Sequence, residues 1–144
     1  MKNDKPAINI LVVDDQPLLL RLMARVLPST DPSVEVVAAH TGREALEALE
    51  AHSFDLCFLD VGLPDMSGLM VMEKMRAISP ETRIAVMTAS HLTEAMKGQI
   101  REGAWAFIEK PFRLADIRKI VNNALIRTSR NLTGAHSRDV PRRL

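Results

Sequence analysis

The chain of 144 residues has one cysteine, Cys57, so no internal disulfide can form. That thiol lies in an apolar run and reads as a small core residue of a protein in a reducing compartment. No apolar stretch approaches the roughly 20 residues that a membrane-spanning helix needs. The start, Met1-Lys2-Asn3-Asp4-Lys5-Pro6, lacks the apolar core of a secretory signal. His40, His52, His91 and His136 are scattered without metal-ligand spacing. Neither G-x-G-x-x-G nor G-x-x-x-x-G-K-[ST] follows the first apolar run, and internal repeats are absent. These absences exclude a disulfide scaffold and argue against a helical membrane protein and a nucleotide-binding enzyme. The expected setting is the cytoplasm.

Charge of one sign is also missing, at least overall: the net charge is +1. The balance is uneven, however. Residues 127–144 carry five arginines and one aspartate, net +4, whereas residues 1–126 carry 14 bases and 17 acids, net −3. A basic tail on an acidic body argues against nucleic-acid contact by the body, although the tail alone can touch acidic surfaces.

What is present is a regular alternation. With 47% apolar residues the chain suits one domain with a real core. Ile8 to Val13, Val34 to Ala39, Leu56 to Leu59, Arg83 to Thr88 and Ala106 to Ile108 read as short buried strands. Between them lie amphipathic stretches. Leu18, Leu19, Leu22, Met23, Val26 and Leu27 mark the first helix, which opens at Pro17 and is expected to stop at Pro28. Thr41 with Glu44 resembles a capping box for a second. Further helices are expected from about Leu69 to Ile78, from Thr93 to Glu102 with Gly103 as C-terminal glycine, and from Leu114 to Ile126. Five strands alternating with five helices predict an α/β fold, a doubly wound parallel sheet. The expected division is a domain over 1–126 and a basic, disordered tail or linker over 127–144, too short for a DNA-binding or catalytic module.

The polar residues at strand ends form a set. Asp14 and Asp15 follow the first strand, Asp60 the third, Thr88 ends the fourth and Lys110 follows the fifth. Parallel strands bring these ends to one edge, where open α/β sheets bind ligands. Three carboxylates brought together repel unless they share protons or hold a cation. Hard oxygen ligands of this kind suit Mg2+. A carboxylate such as Asp60 can attack phosphorus and form an acyl phosphate, while Lys110 can pair with the anion and the Thr88 hydroxyl can donate to it. Asp55 and Asp65 are expected to be turn residues facing solvent, with Asp65 near the mouth of the site.

Across roughly residues 7–126 the sequence resembles the response-regulator receiver domain of bacterial two-component signalling. The resemblance rests on Asp14-Asp15, Asp60 with Pro64 and Gly68 after it, Thr88-Ala89, Gly103-Ala104 and Lys110-Pro111-Phe112. It implies a flavodoxin-like (βα)5 fold with strand order 2-1-3-4-5 and Asp60 as phosphoacceptor. It further implies Mg2+ held by Asp15, Asp60 and the Gly62 backbone carbonyl, with Asp14 acting largely through water. Thr88 and Phe107 would be the switch pair, Lys110 would hold the phosphate, and the bond from Lys110 to Pro111 would be cis. Implied partners are a histidine kinase or phosphotransfer protein and a downstream protein or output domain meeting the fourth helix, fifth strand and fifth helix. A phosphorylation-dependent homodimer is a further option. Turnover would be slow self-dephosphorylation only, tuned by Gly62 and Ser90, not metabolic catalysis.

Phe107 departs from the family, standing where Tyr is frequent, as does Trp105 after the Gly103-Ala104 turn. Two other readings compete. One is a phosphorylation-independent docking module on the same fold. The other is a Mg2+-dependent phosphohydrolase, which would want a second acid two residues past the nucleophile, where this chain has Gly62.

Overall fold

Each apolar run becomes the element that its period predicts. In the computed structural model, which describes residues 6–89 and 91–132, the order is β1 Ile8–Val13, α1 Pro17–Thr30, β2 Val34–Ala39, α2 Gly42–Ala51, β3 Leu56–Asp60, α3 Gly68–Ile78, β4 Arg83–Thr88, α4 Glu94–Gly103, β5 Ala106–Glu109 and α5 Leu114–Leu132. The strands form one parallel sheet in the order β2-β1-β3-β4-β5, the doubly wound flavodoxin-like arrangement expected.

Side chains alternate across a strand, so a strand buried on both faces serves two cores. Ile10, Val12, Leu56, Phe58, Ala85 and Met87 pack with Leu20, Met23 and Leu27 of α1 and Ile117, Ile120 and Val121 of α5. Leu11, Val13, Cys57, Leu59, Ile84 and Val86 face Ala45 and Leu49 of α2, Leu69, Met72 and Met75 of α3, and Ile100 of α4. Each Val, Leu, Ile, Phe or Met among them contributes about 1.5–3 kcal/mol on burial. Cys57 is a core residue, and burial pushes its thiol far above the ordinary range. Helix starts are capped by hydroxyls: Thr41 accepts from the Glu44 amide, Ser67 from Leu69 and Thr93 from Met96.

Several local expectations change. Helix α1 runs through Pro28 to Thr30. Pro28 cannot donate to the Ala24 carbonyl, but the hydroxyls of Ser29 and Thr30 donate to the carbonyls of Val26 and Leu27 and carry the last turn. The buried stripe of α1 is Leu20, Met23 and Leu27, while Leu18 and Leu22 are 77% and 43% exposed. Gly103 is the last residue of α4 and not a left-handed cap; a Cβ there would lie 2.7 Å from Cε of Met72, so the glycine serves the close approach of α4 to α3. Helix α5 continues past Ile126 to Leu132. The rest of the expected tail, residues 133–144, and with it His136, lies outside the described residues.

Candidate functional site at the acidic edge of the sheet

Register decides which side chains meet. Val13 of β1 pairs with Leu59 of β3, so Asp14 and Asp60 leave the sheet side by side. Asp60 pairs with Met87, placing Thr88 next along the same edge. Thr88 pairs with Glu109, and the Lys110 amide donates to the Thr88 carbonyl at 2.7 Å. Four strands thus deliver Asp14, Asp60, Thr88 and Lys110 to one place, although Asp14 and Lys110 are 96 residues apart in the chain.

Lys110 bridges the acids. Its Nζ donates to Asp14 Oδ2 at 2.6 Å and lies 3.2 Å from Asp60 Oδ1. The other Asp14 oxygen accepts from the Gln16 amide at 2.9 Å, which shapes the turn into α1. Asp14 and Asp60 are buried and Asp15 is exposed, yet one carboxylate oxygen from each lies within 4.8 Å of the others. The Lys110–Pro111 bond is cis.

Burial, and then the charge of Asp14, hold the Asp60 carboxyl above the usual range; the charge and hydrogen bond of Lys110 and the nearby Gly62 backbone pull the other way without prevailing. For Lys110 burial opposes the charge, but the hydrogen bond to Asp14 and the charges of Asp60 and Asp14 outweigh it and raise its pKa. Three carboxylates against one ammonium leave a net −2 when all are ionised, which matches a divalent cation. The oxygen-only donor set also fits a hard cation such as Mg2+.

A second feature points to an anion. Thr88 Oγ1 is completely buried and has no hydrogen-bond partner among the described residues. An orphaned buried hydroxyl costs about 1–3 kcal/mol, so it marks a place where an acceptor is wanted. Phe107 is half-buried against the α2–α3–α4 core. Its register partner is Val86, two residues before Thr88, so Phe107 and Thr88 share one face of the sheet.

Gly62 stands in the loop just after Asp60, and a Cβ there would meet nothing within 4 Å. Gly68 is constrained: its Cβ position lies 2.0 Å from the Asp60 carbonyl oxygen and 2.7 Å from Val61 Cα, so only glycine lets α3 start this close to the acid strand. Ser90 lies outside the described residues.

Sequence reasoning placed Asp55 and Asp65 in turns but missed the backbone partners of both. Asp55 accepts from the Asn9 amide at 2.9 Å, tying the start of β3 to β1. Asp65 accepts from the amides of Gly42 and Arg43, at 2.8 and 2.9 Å. A signal for the second existed: the first amides of a helix need acceptors, and Thr41 serves only Glu44. Trp105 is half-buried with the Arg83 guanidinium 5.8 Å from its ring centroid, a local partner the sequence did not suggest.

The family model for the response regulator receiver domain matches residues 10–122. The nitrate/nitrite response regulator protein NarL of Escherichia coli is 34% identical over 125 residues, covering 86% of this chain and 57% of that protein. The chain therefore spans little more than half the length of that relative. Among solved structures, a CheY-like receiver domain protein from Methanospirillum hungatei superposes with a TM-score of 0.80 at 27% identity, covering 87% of this chain and 98% of that one. A response regulator from Burkholderia pseudomallei, solved with a phosphorylated aspartic acid, a calcium ion and citrate, gives 0.70 at 27% identity over 90% of this chain and 75% of that one.

Proposed function

Because the chain belongs to the response regulator receiver domain family of two-component systems, we propose that it is a phosphoacceptor switch in which Asp60 takes a phosphoryl group from a histidine kinase or phosphotransfer protein. The observation that carries this reading is the pairing of a buried, strand-end carboxylate with Lys110 and a neighbouring buried hydroxyl, Thr88, that has no partner.

An Asp60 oxygen attacks phosphorus while the bond from phosphorus to the donor's imidazole nitrogen breaks; the released imidazole takes its proton from solvent. Asp14, Asp15, Asp60 and the Gly62 backbone carbonyl would hold Mg2+, which when bound neutralises phosphoryl oxygens. Lys110, already between the acids, turns its ammonium to the new anion. The Thr88 hydroxyl donates to a phosphoryl oxygen and so gains the partner it lacks. Phe107, on the same face, follows it inward, and the surface of α4, β5 and α5 changes for a downstream protein, an output domain or a second copy. The added charge, about −1.5 to −2 by analogy with other phosphorylated side chains, biases a two-state equilibrium. Slow self-dephosphorylation resets it, so the protein is a switch and not an enzyme.

We place the receiver unit within residues 1–126, with 127–144 as a basic tail or linker that begins helically, and expect no nucleic-acid contact by the receiver body and a cytoplasmic site of action. Among the described residues no helix is long and apolar enough to cross a membrane. The test is intact mass after incubation with Mg2+ and a small-molecule phosphodonor. One added phosphoryl group, lost with chelator and in Asp60→Asn, is expected; an unmodified wild-type chain overturns the reading.

A further inference from the structure

The loop between β3 and α3, residues 61–67, carries Gly62 past the acids, and its base is well tied. The Val61 amide donates to the Met87 carbonyl at 3.1 Å, and the Gly68 amide donates to the Val61 carbonyl at 2.8 Å. Its outer part is different: Pro64 and Asp65 are exposed, and the outward reach ends on another element. The Asp65 carboxylate takes both the Gly42 and the Arg43 amides, one oxygen each. The contact is with backbone, because the Arg43 side chain is engaged with Glu47.

The fit is mutual. Gly42 has no side chain, and a Cβ there would lie 2.6 Å from Cγ of Met66, the residue after Asp65. The missing Cβ lets the loop come close enough for the carboxylate to reach. In the first turn of α2, Thr41 Oγ1 accepts from Glu44 and the Thr41 carbonyl accepts from Ala45. Asp65 supplies the acceptors for the two remaining amides, and its negative charge suits the positive end of the helix.

We propose that Asp65 is a positioning residue for the phosphoacceptor site: it latches the loop to the start of α2 and thereby fixes Gly62 against Asp60. The proposal rests on reading Asp60 as the acceptor. Gly62 is the link, because it stands two residues after Asp60 in this loop, bridges to Ser67 across the loop's base, and carries the carbonyl that is the proposed cation ligand. Releasing the outer loop spreads Gly62 over more positions, which loosens the cation site without removing a ligand.

The test compares Asp65→Ala and Asp65→Asn with Thr41→Ala, which strips the same helix terminus of its other cap but leaves the latch. Two measurements are made: amide hydrogen exchange at Gly42, Arg43 and Gly62 in metal-free protein, and the Mg2+ dissociation constant by calorimetry. In Asp65→Ala all three amides exchange faster, and the constant rises about threefold to tenfold, below the effect of losing a group that touches a metal ligand directly. In Thr41→Ala, Gly62 exchange and Mg2+ affinity stay at the wild-type level. Both Asp65 variants lose the charge, but Asn keeps an acceptor, so its loss of affinity is smaller.

Equal losses in Asp65→Ala and Thr41→Ala would mean that Asp65 acts only through the stability of α2. Equal losses in the Ala and Asn variants would mean a long-range charge effect, and either result overturns the latch, as does unchanged Gly62 exchange. Should Asp65→Ala not fold, Gly62 exchange in Asp65→Asn against Thr41→Ala decides. A wild-type chain that takes no phosphoryl group would sink the acceptor reading instead, and the exchange data, taken without metal, separate the two failures.

Discussion

Replacing Thr88 by valine swaps a buried hydroxyl for a methyl of nearly the same size. Thr88 is fully buried at the end of β4, and its Oγ1 has no partner. Threonine and valine are both β-branched, so side-chain rotamer and strand preference barely change. No heavy atom is lost, so no cavity opens. What remains is desolvation of the hydroxyl, about 1–3 kcal/mol for a group left unpaired. Part of this is regained wherever the hydroxyl finds transient partners, so the expected net gain for Thr88→Val is about 1–2 kcal/mol. With a urea slope of about 2 kcal/mol/M, the unfolding midpoint moves up by about 0.5–1 M. The measurement is urea unfolding in metal-free buffer, followed by fluorescence and circular dichroism together. Phosphoryl uptake at Asp60 persists in the variant, while the response of the α4–β5–α5 surface weakens, because valine cannot donate. A midpoint at or below wild type would refute the reasoning, since it would mean that the hydroxyl is already satisfied and wants no phosphoryl oxygen.

Other substitutions test other parts of the site. Asp60 binds its proton more tightly in the fold than unfolded, so its contribution is fully present below the ordinary value of 3.8 and lost as pH rises through its folded value. Asp60→Asn should therefore melt higher than wild type in metal-free buffer at pH 7 and lose that advantage in acid; equal melting at neutral pH contradicts the sign. Asp65 is the opposite case: the Gly42 and then the Arg43 amide hold its carboxyl below 3.8, so its stabilisation is present above that value and lost as pH falls through the folded one. The destabilisation of Asp65→Ala at neutral pH should shrink steadily below pH 3.8, and a penalty independent of pH would speak against the carboxylate as its source. Gly68→Ala forces a Cβ to within 2.0 Å of the Asp60 carbonyl oxygen; with backbone on both sides, a loss near the upper end of overpacking costs, about 3 kcal/mol, is expected in denaturant unfolding. Gly62→Glu has open space instead and should stay within about 0.5 kcal/mol of wild type. It should change the decay rate of the phosphorylated form, followed by mass, at least about threefold; an unchanged rate would remove Gly62 from the path of the hydrolytic water.

The sheet and its acid edge could be read from the chain because both depend on short-range signals. Buried parallel strands are apolar runs, and Asp14, Asp60, Thr88 and Lys110 each stand where such a run stops. Parallel alignment then converts position along the chain into position along one edge. The leucines of α1 were harder. Leu18, Leu19, Leu20 and Leu22 allow more than one stripe, and only packing on α5 and the sheet selects Leu20 and exposes Leu18. Asp65 is exposed as expected and Asp55 half-buried, but the partners of both were out of reach of the sequence because they are backbone amides 46 and 22 to 23 residues away, contacts that leave no periodic trace. Gly103 was misread for a related reason: a glycine kept for a neighbour's methyl looks, in sequence, like a glycine kept for a turn.

The spread of the site over four strands has a consequence for how the protein is made. Asp14 and Asp60 are synthesised well before Lys110, whereas a domain generally folds as a unit. Until β5 docks on β4, the two acids have no ammonium between them, and their repulsion opposes closure of the sheet edge. The contact of Lys110 with Asp14, 96 residues apart, can close only once β5 is in place, and it completes the charge balance. A chain halted before Ala106 would carry Asp14 and Asp60 without the ammonium that lies between them. A balanced acid edge is thus a mark of the finished sheet, since its ammonium arrives with the last strand.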